Sequence, residues 1–578
     1  MLCLDVVQII CDFSDDLKTQ INLISSCKEY DEYLKIRKLT STDEINQLVT
    51  QEILQQKKFN QLRYLNVTYN YKITSVSHLK NTLVELNCSG FCGIHQKGIR
   101  KLLKLEKLDA RDNEKITNVN HLRNTLIELD CEGSCGISQK GINGQFPKLL
   151  KLSASCNDKI TNVNHFKDTL IELDCSYDCG IQQKGISELQ KLQILNAYGN
   201  RKITNVNHLK DTLRELDCSR SCGIQQEGIN GLRKLEKLIA QSNSRITNMN
   251  SFKHTLVELN CCGSNCGIDQ EGINELQKLQ ILDANFNNKI VNVNYLKDTL
   301  TELKCIESCG IDQKGINGLR KLQKLDVSDN NKITNVNHLK NTLIELNCSG
   351  FCGIDQKGIN KLKILQKLYV YNNKKINDAN HFKDTLIELN CSGICKITQE
   401  GINDLKILQK LDAYSNKKIT NVNHLKNTLI ELDCSGENSG IHQVGIKDLK
   451  IIQNLNAFHN EKITNVNHLK DTLVELDCHG SCGIDQEGIN GLRKLKKLYV
   501  WDNDKVTNVN HLKDTLIELD CRHNCGIDQK GINSKFQKLD KLYAFGNNKI
   551  TNMDHLDNTL IAVEDRNITL EGRSWISG

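Results

Sequence analysis

The chain has 578 residues, 25% of them charged and 38% hydrophobic, a globular composition rather than a disordered one. Its net charge of +6 is spread over 76 basic and 70 acidic side chains, which argues against a nucleic-acid partner. No apolar run reaches the roughly 18 residues a membrane helix needs, and the start MLCLDVVQIICDF has acidic Asp5 and Asp12 instead of a basic leader, so neither membrane nor secretion is expected.

Residues 1–40 read as a small helical module. Val6, Ile9, Ile10 and Phe13 fall at i, i+3, i+4 and i+7, one face of a helix. Ser14 to Asp16 then reads as a break and a new start, and Leu17, Ile21 and Ile24 give a second apolar face. About 40 residues make a poor independent core, so this surface needs cover from the first repeat or from a partner. Residues 41–60 read as a polar linking helix. Residues 61–77 hold a lone repeat with Leu62, Leu65, Val67 and Asn70.

From His78 the chain repeats itself every 43 or 44 residues, with copies opening at His121, His165, His208, Ser251, Tyr295, His338, His381, His424, His468, His511 and His555. A fixed period of this size marks a repeat architecture. The copy at 338–380 splits in two. Its second half places Leu365, Leu368, Val370, Asn373 and Ile376 as L-x-x-L-x-V-x-x-N-x-x-I, the leucine-rich-repeat pattern. Its first half has the same strand start, then Cys348, Cys352, Ile354, Gly358 and Ile359. Each period is therefore two repeats of roughly 22 residues. The array is expected over 61–562 with about two dozen repeats, and 563–578, with Trp575, as its cap. The expected fold class is α/β, a leucine-rich-repeat solenoid or horseshoe with a parallel concave sheet.

Within that frame most recurrent residues read as structural. Leu346 and Cys348 point inward; Glu345, Asn347 and Ser349 face the concave side. Of the 26 cysteines, 21 occupy two fixed columns such as Cys88 and Cys92. They read as core packing, not as disulfides or a metal string, which implies a reducing, cytoplasmic setting. The recurring asparagine is expected to satisfy backbone groups where the chain leaves each strand. The glycine of Q-K-G, as Gly98, is expected at a tight turn. A glutamate column, as Glu345, alternates with a lysine column, as Lys367, and reads as a surface ion-pair ladder. No catalytic pair, nucleophile elbow or zinc spacing breaks the repeat, so no enzyme, cofactor or metal is expected.

One column resists that treatment. Just after the second-half strand stand Tyr371, Tyr414, Phe458, Trp501 and Phe545, an aromatic in five consecutive periods, with Tyr369, Tyr499 and Tyr543 on the same surface. Strand alternation points them outward, and at two strand spacings per period the stripe extends roughly 40 Å. Two readings stand: a partner-binding surface, or rings that only stack on one another.

Two resemblances add to this. The first halves resemble the cysteine-containing repeats of F-box proteins, with Cys348, Ile354, Gly358 and Ile359 in frame and Cys352 one residue late. Residues 1–40 resemble an F-box: Leu2, Asp5 and Val6 match its opening, Ile9 and Ile10 its next helix, and Leu23, Cys27 and Lys28 its later run. Cys3 stands where proline is usual, and Cys11 where a bulky apolar residue is usual. The near-identical Lys/Asn/Ile-rich repeats are also similar to repeat proteins of amoeba-infecting giant viruses, which implies a host-cell cytoplasm. The F-box resemblance implies a monomeric substrate receptor of a cullin–RING ubiquitin ligase. Leu2, Val6, Ile9, Ile10, Leu17 and Leu23 would contact the small adaptor, and the concave face would hold a protein. The alternative is a plain repeat scaffold whose first helices only cap the array.

Overall fold

The computed structural model describes residues 8, 26, 34–39, 49–553, 555 and 556, and the backbone of 560–562. The chain divides into two compact units, 1–279 and 280–578. Each is a solenoid of short parallel strands, one per half period. In the first unit the strands run from Lys38–Leu39 to Glu258–Asn260, and in the second from Ile281–Asp283 to Leu560–Ala562. Register holds from coil to coil: Glu85 sits beside Lys107, then Glu128, Lys151 and Glu172. In the second unit Lys324, Glu345, Lys367, Glu388, Lys410 and Glu431 form the equivalent row.

The strand alternation behaves as the sequence implies. Leu346 and Cys348 are fully buried, while Glu345, Asn347 and Ser349 are partly exposed. All 21 repeat cysteines are buried free thiols. Each fully buried Leu or Ile contributes about 1.5–3 kcal/mol, and one coil buries several against both neighbours.

Three sequence expectations change. The α/β character is slight, since the described α-helices are single turns of four residues such as Gln96–Ile99 and Gln356–Ile359. A coil of roughly 22 residues leaves room for no more between consecutive strands. The array also begins before residue 61. Lys38–Leu39 pairs in parallel with Tyr64–Asn66, and Leu54 and Phe59 are buried. Residues 49–60 are therefore the return of a first coil, in which Gln51–Leu54 is the α-helical turn among the described residues. The glycine column has ordinary backbone torsions and is needed for a different reason. A Cβ on Gly358 would overlap the Thr334 carbonyl oxygen of the preceding coil, and the Gly358 carbonyl accepts from Val336 N–H at 2.9 Å. Close approach of two backbones, not a turn, excludes a side chain there.

Left-handed backbone occurs elsewhere, once per coil, at the turn after the strand. Gly350, Gly393, Gly436 and Gly480 take it in first halves, and Asn372, Ser415, His459 and Asp502 in second halves.

Side-chain ladders clamp the coils together. Asn373 Nδ2 donates to the Cys348 carbonyl at 2.6 Å, and its Oδ1 accepts from Lys375 and Ile376 N–H. Asn113 does the same toward Cys88 and Ile94. A glutamine ladder runs the other way. Gln96 Oε1 accepts from Thr117 and Asn118 N–H at 2.8 Å, and its Nε2 donates to the Asn118 carbonyl. Gln51 makes the same set of bonds to Thr74 and Ser75, a further sign that the first coil precedes residue 61. The histidines of the V-N-H-L run are half-buried, and their Nε2 donates to a carbonyl, as His121 to Ile99 at 3.0 Å. Lys115 Nζ reaches the Cys92 carbonyl at 3.1 Å.

Candidate protein-binding face

The aromatic column lies in the second unit, and the strand ends hold it in place. Asp412 ends its strand and accepts from the Tyr414 N–H at 3.0 Å. Asn456 accepts from Phe458 at 3.3 Å, and Asp477 from His479 at 3.3 Å. On the other side each aromatic carbonyl accepts from a left-handed residue of the preceding coil, Gly393 to Tyr414 at 2.7 Å and Gly436 to Phe458 at 2.7 Å. Two bonds thus fix where Tyr414 and Phe458 leave the chain, while Tyr371 and Trp501 are held through the carbonyl, from Gly350 and Gly480 N–H.

The rings form a stack that both halves of the period supply. Phe458 lies 4.6 Å from His479 with planes 7° apart, and His479 lies 4.0 Å from Trp501 with planes 15° apart. Tyr414 joins at 5.8 Å from Phe458. The Arg522 guanidinium covers the far side of Trp501, 5.9 Å from the ring centroid. His479 is itself fixed by a 2.5 Å bond between its Nδ1 and Asp477. Phe545 packs separately, edge-on to His523 at 5.3 Å.

His479 and Arg522 were missed because the sequence reading followed the column through second halves alone. The same column in first halves reads Ser349, Ser392, Ser435, His479 and Arg522. Interleaving both series shows the unbroken run.

Stacking covers part of Phe458 and Trp501, which are half-buried, so the self-stacking reading accounts for that end. It does not account for the coils before it. Tyr371 is 45% and Tyr414 38% exposed, and between and beside them Phe351 is 79% and Ile394 61% exposed. Tyr371 lies over Gly393, its Cε2 3.1 Å from where a Cβ would stand, next to Ile394. Phe351 and Ile394 occupy first-half turns that carry serine in other copies, Ser134, Ser221, Ser308 and Ser481. Within the second unit the exposed apolar surface of this edge is thus centred on 351–414; the first unit exposes Tyr69, Tyr71 and Phe91 as well.

Tyr369, Tyr499 and Tyr543 end strands on the sheet face and are half-buried. Burial and then the flanking glutamates, Glu388 and Glu345, raise the Tyr369 hydroxyl above its ordinary range. Tyr499 is raised in the same way, by burial and then by Glu518 and Glu475. Along the outer rows the ion-pair ladder is present: Lys367 to Glu388 at 3.3 Å, Lys410 to Glu431 at 3.0 Å and Lys497 to Glu475 at 3.2 Å. Asn454 interrupts it. Around that gap lies a shallow depression of about 280 Å³ lined by Lys410, Asp412, Glu431, Asp433, Asn454, Glu475, Asp477 and Tyr499. Its charged lining is five carboxylates against one ammonium. Burial first, with a contribution from Asp433, raises Asp412 to about 6.

Apart from Cys309, which a bond with Cys305 lowers, burial pushes the shifted repeat thiols upward, Cys92 to about 11 and Cys135 to about 12. They are protonated packing groups, not nucleophiles. Among the described residues no group of three or more histidines, cysteines or carboxylates is arranged to hold a metal, and no helix is long and apolar enough to cross a membrane. Leu2, Val6, Ile9, Ile10, Leu17 and Leu23 lie outside the described residues.

No family model and no curated protein matches this chain. Among solved structures it is similar to the TLR13–ssRNA13 complex, with 19% identity over 92% of this chain and 78% of that one, at a TM-score of 0.49. It is also similar to the functional domain of InlJ from Listeria monocytogenes, which includes a cysteine ladder, with 18% identity over 60% of this chain and 79% of that one, at a TM-score of 0.34.

Proposed function

We propose that the chain is a non-enzymatic repeat scaffold that binds a protein partner on the second unit, along the edge from Phe351 to Trp501. The observation that carries this is the exposed apolar run Phe351, Tyr371, Ile394 and Tyr414, held on a rigid parallel array. A solvated run of this kind marks an interaction surface, and its aromatic members are the residue types that dominate interface energies. Tyr414→Ala combined with Trp501→Ala tests it. Partner capture weakens on the order of a hundredfold, as for loss of two anchoring aromatics, while the circular-dichroism spectrum and thermal midpoint stay near those of the parent. Unchanged capture would sink this reading.

A finer reading rests on the resemblance of residues 1–40 to an F-box. In it the scaffold is the substrate-recognition subunit of a cullin–RING ubiquitin ligase, and Leu2, Val6, Ile9, Ile10, Leu17 and Leu23 dock the small adaptor. The test is a pull-down with the purified adaptor, using the full chain and the full chain carrying Leu2→Ala, Ile9→Ala and Ile10→Ala. Retention by the parent alone supports it. Retention by neither leaves the scaffold without a ligase link. A truncation for this purpose should start at residue 34, because removing 1–40 also removes the strand Lys38–Leu39.

The 21 free, buried repeat thiols also support a reducing intracellular location. Secretion of a folded, fully oxidised chain would contradict it.

A further inference from the structure

The pair asparagine–glycine occurs at Asn143–Gly144, Asn230–Gly231, Asn317–Gly318 and Asn490–Gly491, always at one position of the period, just after the glycine column. All four asparagines are exposed. This pair can react with itself. The glycine nitrogen attacks the asparagine Cγ and a C–N bond forms. The side-chain nitrogen leaves as ammonia, taking up the proton that the glycine nitrogen gives up. Water then opens the imide ring at either carbonyl, to aspartate or to isoaspartate. Glycine eases the attack because no side chain crowds its nitrogen and its backbone turns freely. The fold does not call for glycine here. In other copies Lys361, Asp404 and Ser534 take the place, and their N–H groups donate to Asn337, Asn380 and Asn510 at 2.7, 2.8 and 2.8 Å.

At three of the pairs separate clamps hold the two reacting groups. The Gly231 N–H donates to Asn207 Oδ1 of the preceding coil at 2.6 Å, and Gly318 and Gly491 donate in the same way to Asn294 and Asn467. Asn230 Oδ1 accepts from Gln226 Nε2 at 2.8 Å, and Asn317 and Asn490 accept from Gln313 and Gln486 at 2.7 Å. Those glutamines are themselves fixed by their ladder, as Gln226 is to Thr247 and Asn248. Asn317 and Asn490 also have helical ψ angles, −22° and −26°, which ring closure must first rotate.

Asn143 is held differently. Gln139 makes its ladder bonds to Thr161 and Asn162 but, among the described residues, none to Asn143. One side chain, Asn120, holds both reacting groups. Its Oδ1 accepts from the Gly144 N–H at 2.8 Å, and its Nδ2 donates to Asn143 Oδ1 at 3.1 Å and to the Lys140 carbonyl at 2.9 Å. A single rotation of Asn120 releases nucleophile and electrophile together, where the other three pairs need two clamps to open.

We propose that Asn143 is a site of spontaneous modification, the first of the four asparagines to convert to aspartate and isoaspartate, with Asn120 as its catch. Isoaspartate routes the backbone through the former side chain, and either product places a negative charge beside Asn120. The change runs one way, so each molecule carries a record of its age at this coil.

The experiment ages the full chain in neutral buffer and follows the four peptides by mass spectrometry, with fragmentation that separates aspartate from isoaspartate. The same peptides in the urea-unfolded chain give the rate of each pair without a fold. Relative to that reference, Asn143 is expected to convert on the order of tenfold faster than Asn230, Asn317 and Asn490, because one local opening suffices. Asn120→Ala should raise the Asn143 rate severalfold and leave the other three unchanged. Gly144→Ser copies Asn533–Ser534. Its Cβ meets only Asn120 Oδ1, at 2.9 Å, the end of a side chain that can give. It should slow conversion at Asn143 by tenfold or more with the denaturation midpoint unchanged. Equal relative rates at all four positions of the parent, or an Asn143 slower than the rest, overturn the proposal. An Asn143 rate that Asn120→Ala leaves unchanged, or that rises only together with the other three, overturns Asn120 as the catch.

Discussion

His479 lies flat against Trp501, ring centroids 4.0 Å apart and planes 15° from parallel. The imidazole comes from a first-half coil and the indole from the next second-half coil, so the stack exists only when both coils are in register. Asp477 holds the imidazole from below, which makes the pair a local reporter of native packing in the second unit.

The His479→Ala variant therefore exposes one face of Trp501. In a Trp575→Phe background, which leaves one indole, the emission maximum of Trp501 should move to longer wavelength, with the far-ultraviolet circular dichroism unchanged. An unshifted maximum would mean that the stack does not persist in solution.

The asparagine ladder should carry large local stability. Asn373 is fully buried and satisfies the Cys348 carbonyl together with two N–H groups. Asn373→Ala leaves those groups buried without partners, at about 1–3 kcal/mol for such a group. A repeat array need not unfold in one step, so hydrogen exchange is the better measure. Exchange at Lys375 and Ile376 should accelerate by about one to two orders of magnitude, with coils several periods away unaffected.

Ser439 offers the opposite sign. It occupies the second cysteine column, is 1% exposed, and its hydroxyl has no hydrogen-bond partner. Ser439→Cys restores the column and removes a desolvated hydroxyl, and should raise stability by about 1 kcal/mol. A lower denaturation midpoint in S439C would show that the hydroxyl is satisfied.

Acid should weaken the array through its histidines. Burial lowers the imidazoles of His78, His121, His165, His208, His338, His424, His468 and His511 below their ordinary value. The unfolded chain then binds more protons just below pH about 6.5, so the contribution is present above that pH and lost as pH falls through the folded values. Asp412, raised to about 6, contributes the opposite sign as it takes up a proton. His511→Gln keeps a donor for the Ile489 carbonyl, which accepts from His511 at 3.0 Å, without titrating. It should flatten the fall in midpoint between pH 7 and 5 by one histidine's share. An unchanged slope would rule His511 out.

The ion-pair ladder should matter least. Lys107 Nζ lies 3.1 Å from Glu128 and 3.6 Å from Glu85, with all three side chains about two-fifths exposed. Lys107→Met should change stability by less than about 1 kcal/mol, and a larger loss in denaturant titration would show that the ladder orders the sheet.

The repeat, its two-coil period, the inward cysteines and the asparagine ladder were legible because each depends on residues at fixed spacing. The role of Gly358 was not, because the obstacle is the Thr334 carbonyl, about one coil away in sequence. Gln96 escaped notice for the same reason: its partners, Thr117 and Asn118, lie in the following coil. The aromatic column was found but cut short at second halves. Its continuation through His479 and Arg522 needed the knowledge that neighbouring strands alternate between the two kinds of half. The early start of the array at Lys38 was hidden because the first coil lacks both the cysteine and the asparagine.

The clamps are unevenly distributed, with consequences for the chain under load. Asn113, Gln96 and Lys115 all join a cysteine coil to the asparagine coil that follows it. Between that asparagine coil and the next cysteine coil the side-chain links lie nearer the surface: Asn120 to the Lys140 carbonyl and the Gly144 N–H, Asp112 to the Ser134 N–H, and the ion pairs of Lys107 with Glu128 and Arg111 with Asp130. Stretched from its two ends in an optical trap, such a spring would part at the Asn120-type seams first. It would lengthen by whole 43- or 44-residue periods, steps of about 15 nm at full extension, and not by single coils of half that size.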